Sequence, residues 1–294
     1  VKRHSWMRKQ QWAGYAFILP NMVGILLFFI IPALFSFGLM FTNYQFANPN
    51  VSFTGLDNLK RMFQDDQFYR AIKHTGIFLL SVPVSLVLAF LVALVLNRSV
   101  YLKGLLRGMF FLPYISSGVA VAFVWMLLFQ PSHGPINEAL RWIGIASPPG
   151  WFADSDTAMY AIDIVQVWFM LGYNMIIYLA ALQEVSAEQM EAATIDGAGK
   201  GTITWKIVWP LVSPTTFLLL VTGLIMTMKS FAIIQAITQG GPSGSTTILS
   251  LYVYKTAFSY YEMGYASTVS WFLFAVILVI TIVQWIGQKR WVHY

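Results

Sequence analysis

Residues 183–213 read QEVSAEQMEAATIDGAGKGTITWKIVWPLVS, and they join two long runs, 164–183 and 207–228, that contain no Asp, Glu, Lys or Arg. A run of about 20 mostly apolar residues is the length that crosses a bilayer as a helix. The joining stretch is longer than a connecting turn and carries its own helix punctuation. Ser186 followed three residues later by Gln189 is a capping-box pattern. Residues 187–195 are good helix formers, and Gly197, Gly199 and Gly201 stop them. A second short helix is expected over 202–209, with Pro210 and Pro214 marking the return to the membrane. Two short helices between two spans fit either a docking surface for another protein or an amphipathic segment resting on lipid.

The rest of the 294-residue chain has the same character. Charged residues make up 10%, against about 25% in an average soluble domain. Apolar residues make up 57%, aromatics 16%, and mean hydropathy is +0.65. So few charges cannot coat a soluble protein of this length, and so apolar a chain is not intrinsically disordered. With no cysteine, a disulfide scaffold, a thiolate metal site and a cysteine nucleophile are excluded. The charge-free runs give six expected spans, about 14–42, 72–96, 109–130, 158–182, 215–238 and 266–287. A further charge-free run, 230–254, holds Gly240, Gly241, Pro242, Ser243 and Gly244 and reads as a helix end plus a loop. None of these runs alternates apolar and polar as barrel strands do. The expected fold is an all-α membrane protein, one transmembrane domain over 1–294 without internal repeats. Its two longer loops, 43–71 and 131–157, each carry a short surface helix, near 58–64 and 138–145.

Six spans place both termini on one side. That side holds eleven of the Lys and Arg residues: Lys2, Arg3, Arg8, Lys9, Arg98, Lys103, Arg107, Lys200, Lys206, Lys289 and Arg290. Six lie on the other side, and Lys229 falls within a span. The excess marks the cytoplasmic side, so both termini are expected there. This bias accounts for the net charge of +6 without a nucleic-acid partner. The first apolar stretch is too long for a cleavable signal, and Trp6, Trp12 and Trp291 stand where interfacial anchors stand.

Gly197-Ala-Gly-Lys-Gly-Thr202 suggests a nucleotide loop and fails the test: a P-loop needs G-x-x-x-x-G-K-[ST], and here Thr194 replaces the first glycine and Gly201 the hydroxyl. The same loop resembles the EAA loop of ABC-transporter permeases of binding-protein-dependent importers. Glu191-Ala192-Ala193 is followed at the family's spacing by Gly197, Ile207 and Pro210, and Asp196 precedes the glycine. Trp209 stands where that pattern has Leu. The resemblance covers nearly the whole chain. Ile237-Thr-Gln-Gly-Gly-Pro242 with Thr246-Thr247 looks like a stretch of carbohydrate permeases. Phe53-Thr-Gly-Leu-Asp-Asn-Leu59, with Phe68 and Thr75 beyond it, resembles their first outer loop. Pro20, Pro32 and Thr42-Asn43-Tyr44 resemble the first helix of the maltose and glycerol-phosphate "first permease" type. The resemblance implies a type I ABC importer permease fold in a bacterial cytoplasmic membrane. It also implies a homologous second permease subunit, two ATPase subunits or domains, and an extracytoplasmic sugar-binding protein. ATP and Mg would sit on the ATPase partners, and this chain would bind no cofactor.

Polar groups inside spans are costly and are functional candidates by default. Asp163, Gln166 and Asn174 lie on the fourth expected span, Lys229 and Gln235 on the fifth. Asp163 fits a proton carrier or a hydrated group near the outer interface. Lys229 fits an anion contact, a snorkelling cation or a partner of a buried acid. Gly223, Thr227 and Ser230 recur at i, i+4 and i+7 and so share a helix face, which suits either a solute path or close helix packing. By distance from the EAA motif, the resemblance places these three, with Gln166, Phe169 and Met170, at sugar-contacting positions of the maltose-type permease. Identities differ at several of them, so position transfers and the particular sugar does not. Gln, Thr and Ser supply the mixed donors and acceptors a neutral polyol needs, and Trp168, Phe169 and Tyr173 could cover a sugar ring.

No catalytic constellation appears. His4, His74, His133 and His293 are scattered, without H-E-x-x-H or a nucleophile elbow, and no metal site is expected. The reading is a six-helix permease subunit that is not itself an enzyme and translocates a sugar or oligosaccharide by alternating access. Its rivals are an ion-coupled secondary transporter using Asp163, an ABC permease for glycerol phosphate or another polar solute, and a non-transporting membrane subunit.

Overall fold

The computed structural model describes residues 2–46, 48, 50–98 and 101–291, with side-chain surroundings for those from 11 to 288. The expected anchors Trp6 and Trp291, the terminal cations Lys2, Arg3, Arg8, Lys9, Lys289 and Arg290, and His4 and His293 lie outside the described side chains. In chain order the helices are α1 (Lys2–Ile25), α2 (Ile31–Leu39), α3 (Asp57–Phe63), α4 (Asp66–Leu79), α5 (Ser81–Asn97), α6 (Lys103–Ile115), α7 (Gly118–Leu128) and α8 (Pro135–Trp142). They continue with α9 (Ala158–Glu184), α10 (Ala187–Ile195), α11 (Lys200–Ile203), α12 (Trp209–Leu211), α13 (Ser213–Lys229), α14 (Ala232–Ile237), α15 (Leu249–Phe258) and α16 (Met263–Trp291).

Among the described residues, five helical stretches are long and apolar enough to cross a membrane: Gln11–Leu39, Asp66–Asn97, Ala158–Glu184, Ser213–Ile237 and Met263–Gln288. The remaining expected span, 109–130, is not one helix. It is α6 and α7, bent by 104° at Ser116 and Ser117, whose backbones are extended. Ser-Ser-Gly is a weak helical triplet, and the Ser116 hydroxyl donates to the Leu112 carbonyl (2.8 Å), which bends helices. The fifth expected span is also interrupted. α13 stops at Lys229, Ser230 is extended (ψ 128), and α14 resumes at Ala232. The expected short surface helices are present, displaced to Asp57–Phe63 and Pro135–Trp142.

The chain divides into two compact units. One holds residues up to Gln64 together with Val253–Phe272; the other holds Asp65–Tyr252 and the chain from Leu273 onward. In the first unit, Pro32 enters α2 at its first turn, and a π-type turn, Leu26–Ile30, precedes it, as expected where a missing N–H disturbs the ladder. No residue from 11 to 39 is buried within the chain, so this apolar helix faces lipid or another subunit. Asn58 Nδ2 donates to the carbonyls of Met40 (3.0 Å) and Thr42 (2.7 Å), closing the first outer loop.

The second unit is built on α5 against α9. Leu86, Ala89, Phe90 and Ala93 meet Met175, Tyr178, Leu179 and Leu182, and Val208, Val212 and Leu219 complete the core. Small residues let these helices approach, and polar pairs join them: Asn174 Nδ2 donates to Ser85 Oγ at 3.0 Å. α6 crosses α9 so closely at Gly172 that a Cβ there would run into the Phe110 carbonyl. The 238–247 loop is knotted by Thr238 and Thr246 hydroxyls 2.7 Å apart, with Thr246 donating to Gly241 O (2.8 Å) and Thr247 to Gly240 O (3.1 Å). Thr75 Oγ1 accepts from Leu249 N (2.9 Å), tying α4 to the end of that loop.

Candidate functional site

Four of the six residues expected along a solute path come together. Gln166, Phe169, Met170 and Ser230 line one cavity of about 390 Å³, with Tyr114 and Met226 completing its wall. α9 supplies the first three, the end of α13 supplies Met226, and Ser230 projects from the break after it. Gln166 is only 4% exposed, and its Oε1 has no hydrogen-bond partner among the described residues. A buried amide oxygen left unmatched is costly unless a ligand or water meets it. Tyr114 presents a ring stacked on Tyr173 (centroids 4.7 Å, 24°) with Phe169 at 5.8 Å. The cavity thus combines an aromatic wall with an amide and hydroxyls, and no charged side chain lines it.

Gly223 and Thr227 do not line the cavity. A Cβ on Gly223 would come within 2.9 Å of Val82 Cγ1, so this glycine lets α13 pack on α5. Thr227 is fully buried, and its hydroxyl has no partner among the described residues. Of the face expected for Gly223, Thr227 and Ser230, only the Ser230 end is open, since Gly223 packs on Val82 and Thr227 is fully buried. Asp163 lies one turn from Gln166 on α9, its buried Oδ1 without a partner among the described residues, and Lys229 is exposed; neither lines the cavity. Tyr114 and Met226 were not marked by the sequence. Tyr114 belongs to a span distant in sequence, and only the close α6–α9 crossing at Gly172 brings it in.

The second cluster is the loop after α9. α10 runs over Ala187–Ile195, the bounds its composition and glycines suggest. Its end is a Schellman motif: Ala198 N–H donates to Ala193 O (2.9 Å) and Gly197 N–H to Thr194 O (3.1 Å), with Gly197 at φ +82°. The expected capping box is absent: Ser186 has an N-cap backbone, but its side chain makes no cap hydrogen bond. Glu191, Ala192, Asp196 and Gly197 are exposed and Ala193 half-buried. Neither acid forms an ion pair among the described residues. Ile195 is 86% exposed, leaving an apolar side chain at the loop's outer edge. The following helical turns start at Lys200, earlier than expected, and pass through a π-type turn, Thr204–Val208, into α12. Ile207 and Pro210 are half-buried there. Trp209 sets its ring edge-on to Phe90 (4.9 Å, 72°), and Phe90 packs on Tyr178 (5.5 Å).

Comparison with known proteins agrees with this layout. The chain is 36% identical to the probable ABC transporter permease protein YesP of Bacillus subtilis, over all of this chain and 96% of that one. It is 34% identical to the lactose transport system permease protein LacF of Rhizobium radiobacter, over 99% and 98%. It is 31% identical to the sn-glycerol-3-phosphate transport system permease protein UgpA of Agrobacterium fabrum, over 95% and 96%. A chain in the crystal structure of a bacterial alginate ABC transporter, in complex with an alginate pentasaccharide-bound periplasmic protein, superposes with TM-score 0.81 at 27% identity, covering 96% of both chains. Residues 81–291 match the family of binding-protein-dependent transport system inner membrane components, and the chain belongs to that family.

Proposed function

We propose that this chain is one permease subunit of an ABC importer that carries a sugar or oligosaccharide into the cytoplasm by alternating access. It would pair with a homologous permease subunit and receive solute from an extracytoplasmic binding protein. Two ATPase subunits would hold ATP and Mg and dock on the exposed α10 segment through Glu191, Ala192, Ala193, Asp196 and Gly197, with Ile207 and Pro210 in the supporting turns. Both termini would be cytoplasmic, on the side of that loop.

The observation that carries the reading is the uncharged cavity of Gln166, Phe169, Met170, Ser230, Tyr114 and Met226. The Gln166 amide oxygen is sealed off in this conformation and, turned toward the cavity, can accept from a sugar hydroxyl; Ser230 and Tyr114 add hydroxyl groups. The Tyr114 and Phe169 rings suit the apolar face of a pyranose. A phosphate ester would call for a cation, and none lines the wall, so a neutral polyol is favoured over glycerol phosphate. Gly223 and Thr227 serve packing between α13 and its neighbours in this reading. The test is uptake of a labelled neutral disaccharide, lactose, into proteoliposomes holding the whole complex and its binding protein, with and without internal ATP. Gln166→Ala and Ser230→Ala should each lower uptake while lactose-stimulated ATPase activity stays tied to it. Lactose uptake that runs without ATP and collapses with a protonophore would replace this reading with the ion-coupled one.

A further inference from the structure

A second cavity, of about 280 Å³, lies in the second unit beside the 183–213 loop, where two spans stop. Leu94 from the last turn of α5 and Leu182 from the last turn of α9 form its membrane wall, and Val185, Met190, Ile203 and Val208 form the loop wall. Asn97, Arg98, Lys200 and Thr204 complete the lining. No carboxylate is among these groups. The acids nearest in sequence, Glu184 and Glu188, are exposed and take no part in the wall. Arg98 and Lys200 make no ion pair or side-chain hydrogen bond among the described residues. Lys103, outside the lining, sets its Nζ 3.4 Å from the Asn97 carbonyl. Thr204 Oγ1 donates to Lys200 O (2.9 Å), which fixes the backbone that carries the second cation.

This arrangement has two chemically different ends. One is an apolar slot level with the ends of two membrane helices. The other is a pair of unneutralised cations at the level where the bilayer meets water. We propose that the cavity is a site for an anionic phospholipid, its acyl segment against Leu94, Leu182 and Ile203 and its phosphate between Arg98 and Lys200. Basic pockets between spans at a membrane face take phospholipid headgroups in this way, and burial of methylenes adds the apolar share. A soluble anion would use the cations and leave the apolar wall exposed. A zwitterionic lipid would use the wall and gain little from the cations. A lipid held here would touch the end of α5, the end of α9 and both short helices of the loop at once. The assignment does not depend on the transported solute or on the orientation of the chain.

The experiment is native mass spectrometry of the transporter purified from membranes with its co-purifying subunits. It would be titrated with phosphatidylglycerol, with phosphatidylcholine of the same acyl chains, and with inorganic phosphate. Phosphatidylglycerol should bind more tightly than phosphatidylcholine, and inorganic phosphate should not displace it. Arg98→Gln with Lys200→Gln should weaken phosphatidylglycerol about 25-fold, from roughly fivefold per cation, and leave phosphatidylcholine unchanged. Ile203→Trp, which fills the slot while keeping both cations, should weaken it as well. Equal retention of both lipids, or no response to the double variant, overturns the proposal. Competition by inorganic phosphate reassigns the cavity to a small anion. Lipid binding that appears only after the co-purifying subunits are stripped away shows that a protein side chain fills the cavity.

Discussion

Replacing Gly197 with valine tests the loop at the atom that shapes it. Gly197 sits at φ +82°, and its N–H and that of Ala198 close the two hydrogen bonds that end α10. Nothing lies within 4 Å of a Cβ built there, so within this chain the demand for glycine is conformational, not steric. An L-residue in the left-handed region costs roughly 1–2 kcal/mol, least for Asn and Asp and most for β-branched side chains. The segment is exposed and α10 is short, so the cheapest response to valine is to open the Schellman motif and free the carbonyls of Ala193 and Thr194. The transmembrane core lies elsewhere and should be unaffected.

The expected ranking at position 197 is therefore Gly, then Asn, then Ala, then Val. ATP-driven uptake should fall by about tenfold or more for Val, from ~1.4 kcal/mol per factor of ten, with membrane abundance unchanged. The assay is uptake per unit of folded permease, with the amount of co-purified ATPase subunit measured alongside. Gly197→Asp is a poorer probe, because it combines a tolerated backbone with a new charge beside Asp196. If the Gly197→Val protein transports normally, the positive φ is not used. If Asn and Val are equally impaired, the requirement is space for a docked partner and the backbone argument fails.

Gly172→Leu should abolish accumulation of folded chain in the membrane, since the side chain has to displace α6 from α9 at Phe110; detergent-resistant, correctly sized protein at wild-type levels would refute the close crossing. Asn137→Leu strips partners from the Pro149 carbonyl and Trp151 Nε1, a loss of roughly 1–3 kcal/mol per unmatched group, while the Pro131 carbonyl keeps Arg141 Nη2. Limited proteolysis should then cut the 131–157 loop while α9 stays intact. Gln166→Leu should raise the apparent KM for lactose, by roughly five- to tenfold for one hydrogen bond of ~1 kcal/mol or more, whereas Thr227→Val, which does not touch the cavity, should leave KM unchanged.

The spans and the loop were legible in the sequence for a simple reason. A missing charge over twenty residues and a glycine at a helix end are local signals. Thus α9 lies at Ala158–Glu184 where 158–182 was expected, and α10 ends where Gly197 turns the chain. The two helix breaks were not legible. Ser116-Ser117-Gly118 and Lys229-Ser230 are passed over because two or three such residues scarcely lower a mean taken over about 20 mostly apolar ones. Helical periodicity put Gly223, Thr227 and Ser230 on one face but could not say which part of it another helix covers: Gly223 and Thr227 are buried, and only Ser230 reaches the cavity. Tyr114 is the converse case, an aromatic among many until a missing side chain at Gly172 lets its helix close on α9. The unused Ser186 cap belongs with these, since its backbone fits the pattern and its hydroxyl does not complete it.

These breaks also bear on how the proposed mechanism would work. Trp209 abuts Phe90, Phe90 abuts Tyr178, and the Tyr178 hydroxyl donates to Thr216 Oγ1 at 3.1 Å. The loop is thereby joined to α5, α9 and α13 at one level. Gln166 stands twelve residues from Tyr178 on the same unbroken helix, roughly 18 Å along its axis at ~1.5 Å per residue. A displacement of the loop would reach the cavity through α9 as a rigid rod. α6 would follow, because Gly172 locks it to α9. Movement confined to these elements carries the cavity wall as one piece and leaves its shape unchanged. On the proposed reading, access changes as this wall moves against the second permease subunit, and within this chain the wall changes shape where the rods are interrupted, Ser116–Ser117 and Ser230–Phe231, the second of which supplies a wall residue itself. The serine breaks are then the joints, and stiffening Ser116–Ser117, which lie off the cavity wall, should slow transport without changing how tightly the solute is held.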